Sequence, residues 1–176
     1  MEIVVSDTQI LIDMHSAGLL ELVSKSAMHF HTVDYVIAEL NRSPYQRPII
    51  GQMVSDGSLK VYSYDAKDNA LLLEFFENYS CKTNLSITDC AVLKYAKDNG
   101  YRMLTGDRKL RNCAENEGVI VSGILYVTDK FVEEGIESGS DMAGRLEHLL
   151  DVNPRLPKKD FLDRIKAMRG FGNLAR

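Results

Sequence analysis

No run of this chain has enough consecutive apolar residues to cross a bilayer, which excludes a helical membrane span. The amino terminus, "MEIVVSD", lacks the basic segment of a secretory leader and meets acids at Glu2 and Asp7, so no export signal is expected. Cysteine is scarce. Cys81, Cys90 and Cys113 make an odd count without a C-x-x-C pair, which argues against a disulfide framework or a thiolate zinc site and for a reducing cytoplasm. With only 4 prolines, no low-complexity tract, no internal repeat and no long linker, neither a solenoid nor a tethered pair of domains is expected. What is present is an ordinary globular composition, 45% hydrophobic and 26% charged over 176 residues, enough to bury one core.

The charge is unevenly divided. Residues 153–176 carry seven Lys and Arg against two Asp and Glu, whereas residues 1–152 carry fourteen against twenty-three. An acidic body with a basic tail suits a polyanionic ligand or an acidic partner, although the tail alone reads as a solvated basic helix.

Hydrophobic periodicity alternates between strand and helix. "EIVVS" is a β-branched run ending at Asp7, followed by a helical stretch through "LLELV" that stops near Ser24. "MHFHT" alternates as a second strand before the helical "VDYVIAELNR"; "SPYQRP" is a loop; "SLKVYSY" is a third strand. Leu72, Phe75, Phe76 and Tyr79 then fall at i, i+3, i+4, i+7 on one helix face. In "LSITDCAVLKYAKDNG", Ser86 and Asp89 have capping-box spacing and Asn99-Gly100 supplies the stop. "YRMLT" and "VIVS" are strands four and five around the short helix "DRKLRNCAENEG", and the chain reads as helical from Gly123 onward, broken at Pro154 and Pro157. Such alternation implies a parallel sheet with right-handed crossovers, and ligands of these sheets bind beyond the carboxyl ends of the strands.

Four acids sit where that edge should be: Asp7 after strand one, Glu39 in the helix after strand two, Asp89 opening the helix before strand four, and Asp107 after strand four. Each alone reads as a helix cap or a surface charge. Together, on central neighbouring strands, they would converge, and like charges resist joint ionisation unless a cation intervenes. Carboxylates without histidine or thiolate select a hard ion, Mg²⁺ or Mn²⁺.

The stretches "VVSDTQILID", "VIAELNR", "LSITDCAVLKYA" and "MLTGDRKLRNCAENEGVIVSG" resemble, in order and spacing, the motifs of PIN-domain nucleases, including the VapC-like ribonucleases, over about Met1 to Val132. The resemblance implies a PIN-like three-layer α/β/α fold with a mostly parallel sheet of about five strands. It implies a domain over residues 1–137 and a C-terminal helical extension over 138–176 packed on it. It matches Asp7, Glu39, Asp89 and Asp107 to the family's acidic metal-binding quartet, with Thr8, Ser86 and Thr105 supporting it. It implies Mg²⁺-dependent hydrolysis of single-stranded RNA, with an antitoxin protein or a second copy of the chain as further partners. Gln9 stands where the family often has a small polar residue. Arg108, Lys109 and Arg111 could steer an RNA backbone or simply be surface cations, and few aromatics flank them for base stacking. The alternative is a non-catalytic module of the same fold that binds a partner protein or nucleic acid.

Other candidates carry less. His29 and His31 share a strand face but lack a third ligand. Cys90 and Cys113 read as small core residues, Asp13 as a solvated charge, and Asp160 and Asp163 as helix-surface charges. Gln9 occupies the position where haloacid-dehalogenase-like phosphatases need a second acid. The paired acids of a receiver-like phosphoacceptor are missing, although Asp65 follows strand three.

Overall fold

The computed structural model describes residues 2–42, 45 and 47–171. Its elements run β1 (Glu2–Ser6), α1 (Thr8–Ser16), a 3₁₀ segment (Leu20–Lys25), β2 (Met28–Val33), α2 (Asp34–Leu40), α3 (Arg47–Ser55), β3 (Leu59–Tyr62) and α4 (Ala66–Thr83). The second half continues with α5 (Ile87–Asn99), β4 (Arg102–Leu104), α6 (Arg108–Asn116), β5 (Val121–Ser122), α7 (Ile124–Glu133), α8 (Gly139–Val152) and α9 (Lys158–Phe171). The strands form one parallel sheet in the order β3-β2-β1-β4-β5, with helices in layers about it, the α/β/α arrangement expected from the alternating pattern.

The central strands are apolar because both faces of a parallel sheet are covered. Val4 and Val5 of β1 and Met103 and Leu104 of β4 are fully buried, as is the Cys90–Leu93 stretch of α5, which lies along β1, β2 and β4. Helices α8 and α9 pack on each other, and α8 also touches α1 and α7, so the C-terminal segment is docked against the helix that follows Asp7. Among the described residues no helix is long and apolar enough to cross a membrane.

Two local readings are corrected. The helix after β1 does not run through "LLELV": α1 ends at Ser16 and a separate 3₁₀ segment follows. Gly18 breaks it, with φ +65 and its carbonyl accepting from Arg145 Nη1 at 2.7 Å; a Cβ at this position would stand 2.5 Å from that nitrogen. The expected "SPYQRP" loop is cut short at Arg47 and Pro48, which already belong to α3, a helix that buries Ile50 and Met53. Pro48 lies in its first turn, where the missing N–H has no intrahelical partner to lose. Ser43, Pro44 and Gln46 of that loop lie outside the described residues. Ser86 and Asp89 form the expected capping box, and Gly100 ends α5 with φ +67.

Candidate functional site

Strands β1 and β4 are neighbours in register, Ser6 beside Leu104, and the Asp7 N–H donates to the Leu104 carbonyl at 3.2 Å. The two strands therefore deliver their following residues side by side. Asp7 opens α1 in extended conformation, and its carboxylate accepts from the Ile10 N–H at 2.7 Å. Asp107 opens α6 in the same way, accepting from the Leu110 N–H at 2.8 Å. Thr105, fully buried, lies between them. Its hydroxyl accepts the Asp107 N–H at 3.0 Å and donates to the Asp7 carboxylate.

Glu39 arrives from the other side. Strand β2 pairs with β1, and α2 follows β2 directly. The Thr8 hydroxyl donates to Glu39 Oε2 at 2.6 Å, joining the start of α1 to the end of α2. Asp89 stands in the first turn of α5, where its Oδ2 accepts from the Ser86 N–H at 2.9 Å while Ser86 Oγ accepts from the Asp89 N–H at 3.0 Å. Because α5 leads into β4 and runs against the strand direction, this turn lies at the carboxyl edge of the sheet as well. All four acids thus stand along one rim, over β2, β1 and β4.

Their environments differ. Asp7 is 5% exposed; Glu39 and Asp89 are half-buried; Asp107 is exposed. Burial pushes the Asp7 carboxyl up to about 6, and the charges of Asp89 and Asp13 add to the rise, against hydrogen bonds from Thr105 and Ile10. The donor set, four carboxylates with hydroxyls beside them, suits a hard divalent cation in kind, and positive charge beside Asp7 would relieve the cost of its anion. The four acids do not, however, meet at a point: among the described residues no three Asp, Glu, His or Cys side chains are grouped to hold one ion.

Asp13 overturns its reading as a solvated charge. It is 3% exposed, and its Oδ1 accepts from Gln9 Nε2 and from Asn153 Nδ2, both at 2.9 Å. Burial raises its pKa. The sequence carried the signal: Ile10, Asp13, Met14 and Ala17 fall at i, i+3, i+4, i+7, so Asp13 belongs to the buried stripe of α1. Asn153, its partner from the C-terminal segment, carries no such signal.

The basic trio after Asp107 divides. Arg108 and Lys109 are exposed, whereas Arg111 is half-buried and donates to the Thr105 carbonyl at 3.1 Å and the Val121 carbonyl at 3.4 Å. Arg111 therefore braces the corner that carries Asp107. Cys90 and Cys113 are buried, as expected of core residues, and Asp160 and Asp163 are exposed. His31 is buried with Nδ1 2.9 Å from the Tyr95 hydroxyl, while His29 is exposed.

Several solved structures are similar to this chain. VapBC2 from Rickettsia felis, bound to a DNA fragment from its promoter, matches with TM-score 0.51 at 18% identity, covering 69% of this chain and 98% of that one. The PIN domain endonuclease Utp24 matches with TM-score 0.48 at 15% identity over 69% of this chain and 84% of that one. FitAcB from Neisseria gonorrhoeae matches with TM-score 0.47 at 12% identity over 67% and 95%. No curated protein matches the sequence. The model of the family DUF3368, a PIN domain, matches residues 3–169, nearly the whole chain. The chain belongs to this PIN-domain family.

Proposed function

We propose that this chain is an Mg²⁺- or Mn²⁺-dependent endoribonuclease that hydrolyses phosphodiester bonds of single-stranded RNA. The observation that carries the reading is the rim itself, on which Asp7, Glu39, Asp89 and Asp107 stand over three adjacent strands, with the Thr8 hydroxyl on Glu39 and the Thr105 hydroxyl on Asp7 and the Asp107 backbone. PIN-domain membership supports it, since such domains are typically nucleases.

Asp7, Glu39, Asp89 and Asp107 would hold the cation. Bound there, it supplies positive charge that eases deprotonation of an attacking water and offsets charge developing on the phosphate. The chain's own contributions are positional. Thr8 fixes one Glu39 oxygen, Thr105 fixes Asp7 and the Asp107 backbone, and the Ser86 backbone N–H holds one Asp89 oxygen. The N-terminal dipoles of α1, α5 and α6, whose opening turns carry Asp7, Asp89 and Asp107, favour negative charge at the same edge. Arg108 and Lys109 extend a cationic path for the RNA backbone away from the acids.

The test is cleavage of unstructured RNA by purified protein with Mg²⁺ or Mn²⁺, against EDTA and against Asp7→Asn. Activity that needs the metal and is lost in the variant supports the reading; no cleavage, or equal cleavage by Asp7→Asn, overturns it. A toxin in a toxin–antitoxin pair is the narrower form, suggested by the fold shared with VapBC2. It requires that expression slow growth and that a co-expressed small partner protein relieve it.

A non-catalytic binding module is the second reading, favoured by the fact that no three of the described acids are grouped for one ion. Mn²⁺ titration separates the two. A metal site stabilises the fold by RT ln(1 + [L]/Kd), so a clear rise in melting temperature marks the enzyme and none marks the module.

A further inference from the structure

A cleft of 640 Å³ opens beside the acidic rim. It is lined by Thr105, Gly106 and Asp107 and by the connection between α8 and α9. Buried Ile10 and Phe161 and half-buried Leu156 give it apolar surface, and Asp13 and Asp160 also line it. The volume falls within the roughly 300–1,000 Å³ of small-ligand pockets, enough for one nucleotide.

We propose that this cleft seats the nucleotide of the RNA adjacent to the scissile phosphodiester, with Arg155 of the C-terminal segment contacting its phosphate. The proposal rests on the nuclease reading and assigns part of its substrate site to a stretch far from the acids in sequence. Continuity is the first argument: a strand whose phosphate lies at Asp107 enters the cleft on its next step, because Asp107 lines both. Uncommitted charge is the second. Arg108 and Arg155 flank the cleft from α6 and from the α8–α9 connection, and among the described residues neither guanidinium makes a hydrogen bond or ion pair, whereas Arg111 is already bound to two carbonyls. A guanidinium fork matches a phosphate in geometry as well as charge.

Rigidity is the third. Buried Asp13 binds Asn153 Nδ2 at 2.9 Å, and Asn153 Oδ1 in turn accepts the Arg155 N–H at 3.2 Å. The connection is thereby latched to α1, the helix that Asp7 caps, and the backbone carrying Arg155 is set relative to the rim. Asp13 also orients Gln9, another lining residue, whose amide nitrogen donates to its carboxylate.

The test is fluorescence anisotropy of labelled oligouridylate and oligoadenylate binding to the full chain in EDTA, where no cleavage intervenes, across a salt series. Arg155→Ala is expected to weaken binding about five- to tenfold and to lower the steepness of log K against log salt by about 0.7, the value of one phosphate contact on a single strand. Arg155→Lys should recover the slope but only part of the affinity, and Lys166→Ala on α9 should change neither. Melting temperatures should not move, because Arg155 is exposed and unpaired. If wild type binds RNA and Arg155→Ala binds it with the same affinity and slope, the subsite is wrong and the nuclease reading stands. Equal losses in Arg155→Ala and Lys166→Ala would mean diffuse attraction to the basic tail and also overturn the subsite. If wild type binds neither RNA, the subsite is overturned, while the nuclease reading is decided separately by the metal-dependent cleavage assay.

Discussion

Thr8 and Glu39 lie 31 positions apart in sequence, yet the hydroxyl of one donates to the carboxylate of the other at 2.6 Å. That bond fixes an oxygen of Glu39, which would otherwise be free to rotate about several single bonds at the end of α2. Thr8→Val keeps the shape of the side chain and removes the donor. We expect it to cost about 1 kcal/mol of stability, the net worth of one hydrogen bond, and to lower RNA cleavage about tenfold, the factor that 1.4 kcal/mol represents. Thr8→Ser should retain most of both. Denaturation and single-turnover cleavage, run side by side, check the pair; an unchanged rate in Thr8→Val would remove Glu39 positioning from the mechanism.

Asp7 makes stability depend on pH in a direction opposite to that of a salt-bridged aspartate. Its folded pKa is pushed up to about 6, above the ordinary 3.8, chiefly by burial. Folding therefore favours the protonated form, and the chain loses stability as pH rises from about 4 to 6, with the full penalty present above. That penalty is about 3 kcal/mol from the size of the shift. Asn accepts the Ile10 N–H as an N-cap nearly as well as Asp does, so Asp7→Asn in EDTA should be the more stable protein at pH 8 and equal to wild type near pH 4. Added Mg²⁺ should stabilise wild type and not the variant. Identical urea curves at pH 8 would show that Asp7 carries no such cost.

Much of this arrangement is legible in the sequence, because the signals involved are local. Strand runs that end in Asp7 and just before Asp107, the Ser86–Asp89 box and the Gly100 stop are each set by residues a few positions apart, and each recurs in the structure. Adjacency of β2, β1 and β4 is a condition of that reading: crossover rules narrow the topologies, and the sheet order itself comes from the structure. What escaped depends on contacts between distant segments. The burial of Asp13 is marked by the apolar stripe of α1, but its partner is not: Asn153, 140 positions away, supplies an amide to it. The break at Gly18 is held by Arg145, which donates to its carbonyl from α8. Arg111 reads as a free cation until its contacts with Thr105 and Val121 are seen.

The Asp13–Asn153 bond gives the C-terminal connection a measurable tether. Asn153→Ala leaves a buried carboxylate with one side-chain donor fewer, a loss of about 1–3 kcal/mol. Burial already raises the Asp13 pKa, and losing a donor raises it further. The cost should therefore be largest above neutral pH and shrink in acid, where Asp13 takes up a proton and no longer needs its charge satisfied. Urea denaturation of wild type and Asn153→Ala at pH 8 and pH 4.5 reads the difference. A cost independent of pH would show that the amide serves packing rather than the carboxylate.

Ser86 and Asp89 separate helix capping from chemistry, since the box uses both residues but the proposed site needs only the acid. Ser86→Ala removes the acceptor of the Asp89 N–H, a loss of about 1 kcal/mol, while leaving the Ser86 backbone N–H to hold the Asp89 carboxylate. Below its melting temperature that variant should cleave RNA at close to the wild-type rate. Asp89→Asn keeps an oxygen for the Ser86 N–H and relieves the repulsion that Asp89 exerts on Asp7, so its stability should be near that of wild type or above it. Its cleavage should nonetheless fall to background, because the oxygen that remains is neutral. Were Asp89→Asn to stay active while Ser86→Ala lost activity, Asp89 would be a cap alone, and the set of acids serving the metal would have to be redrawn without it.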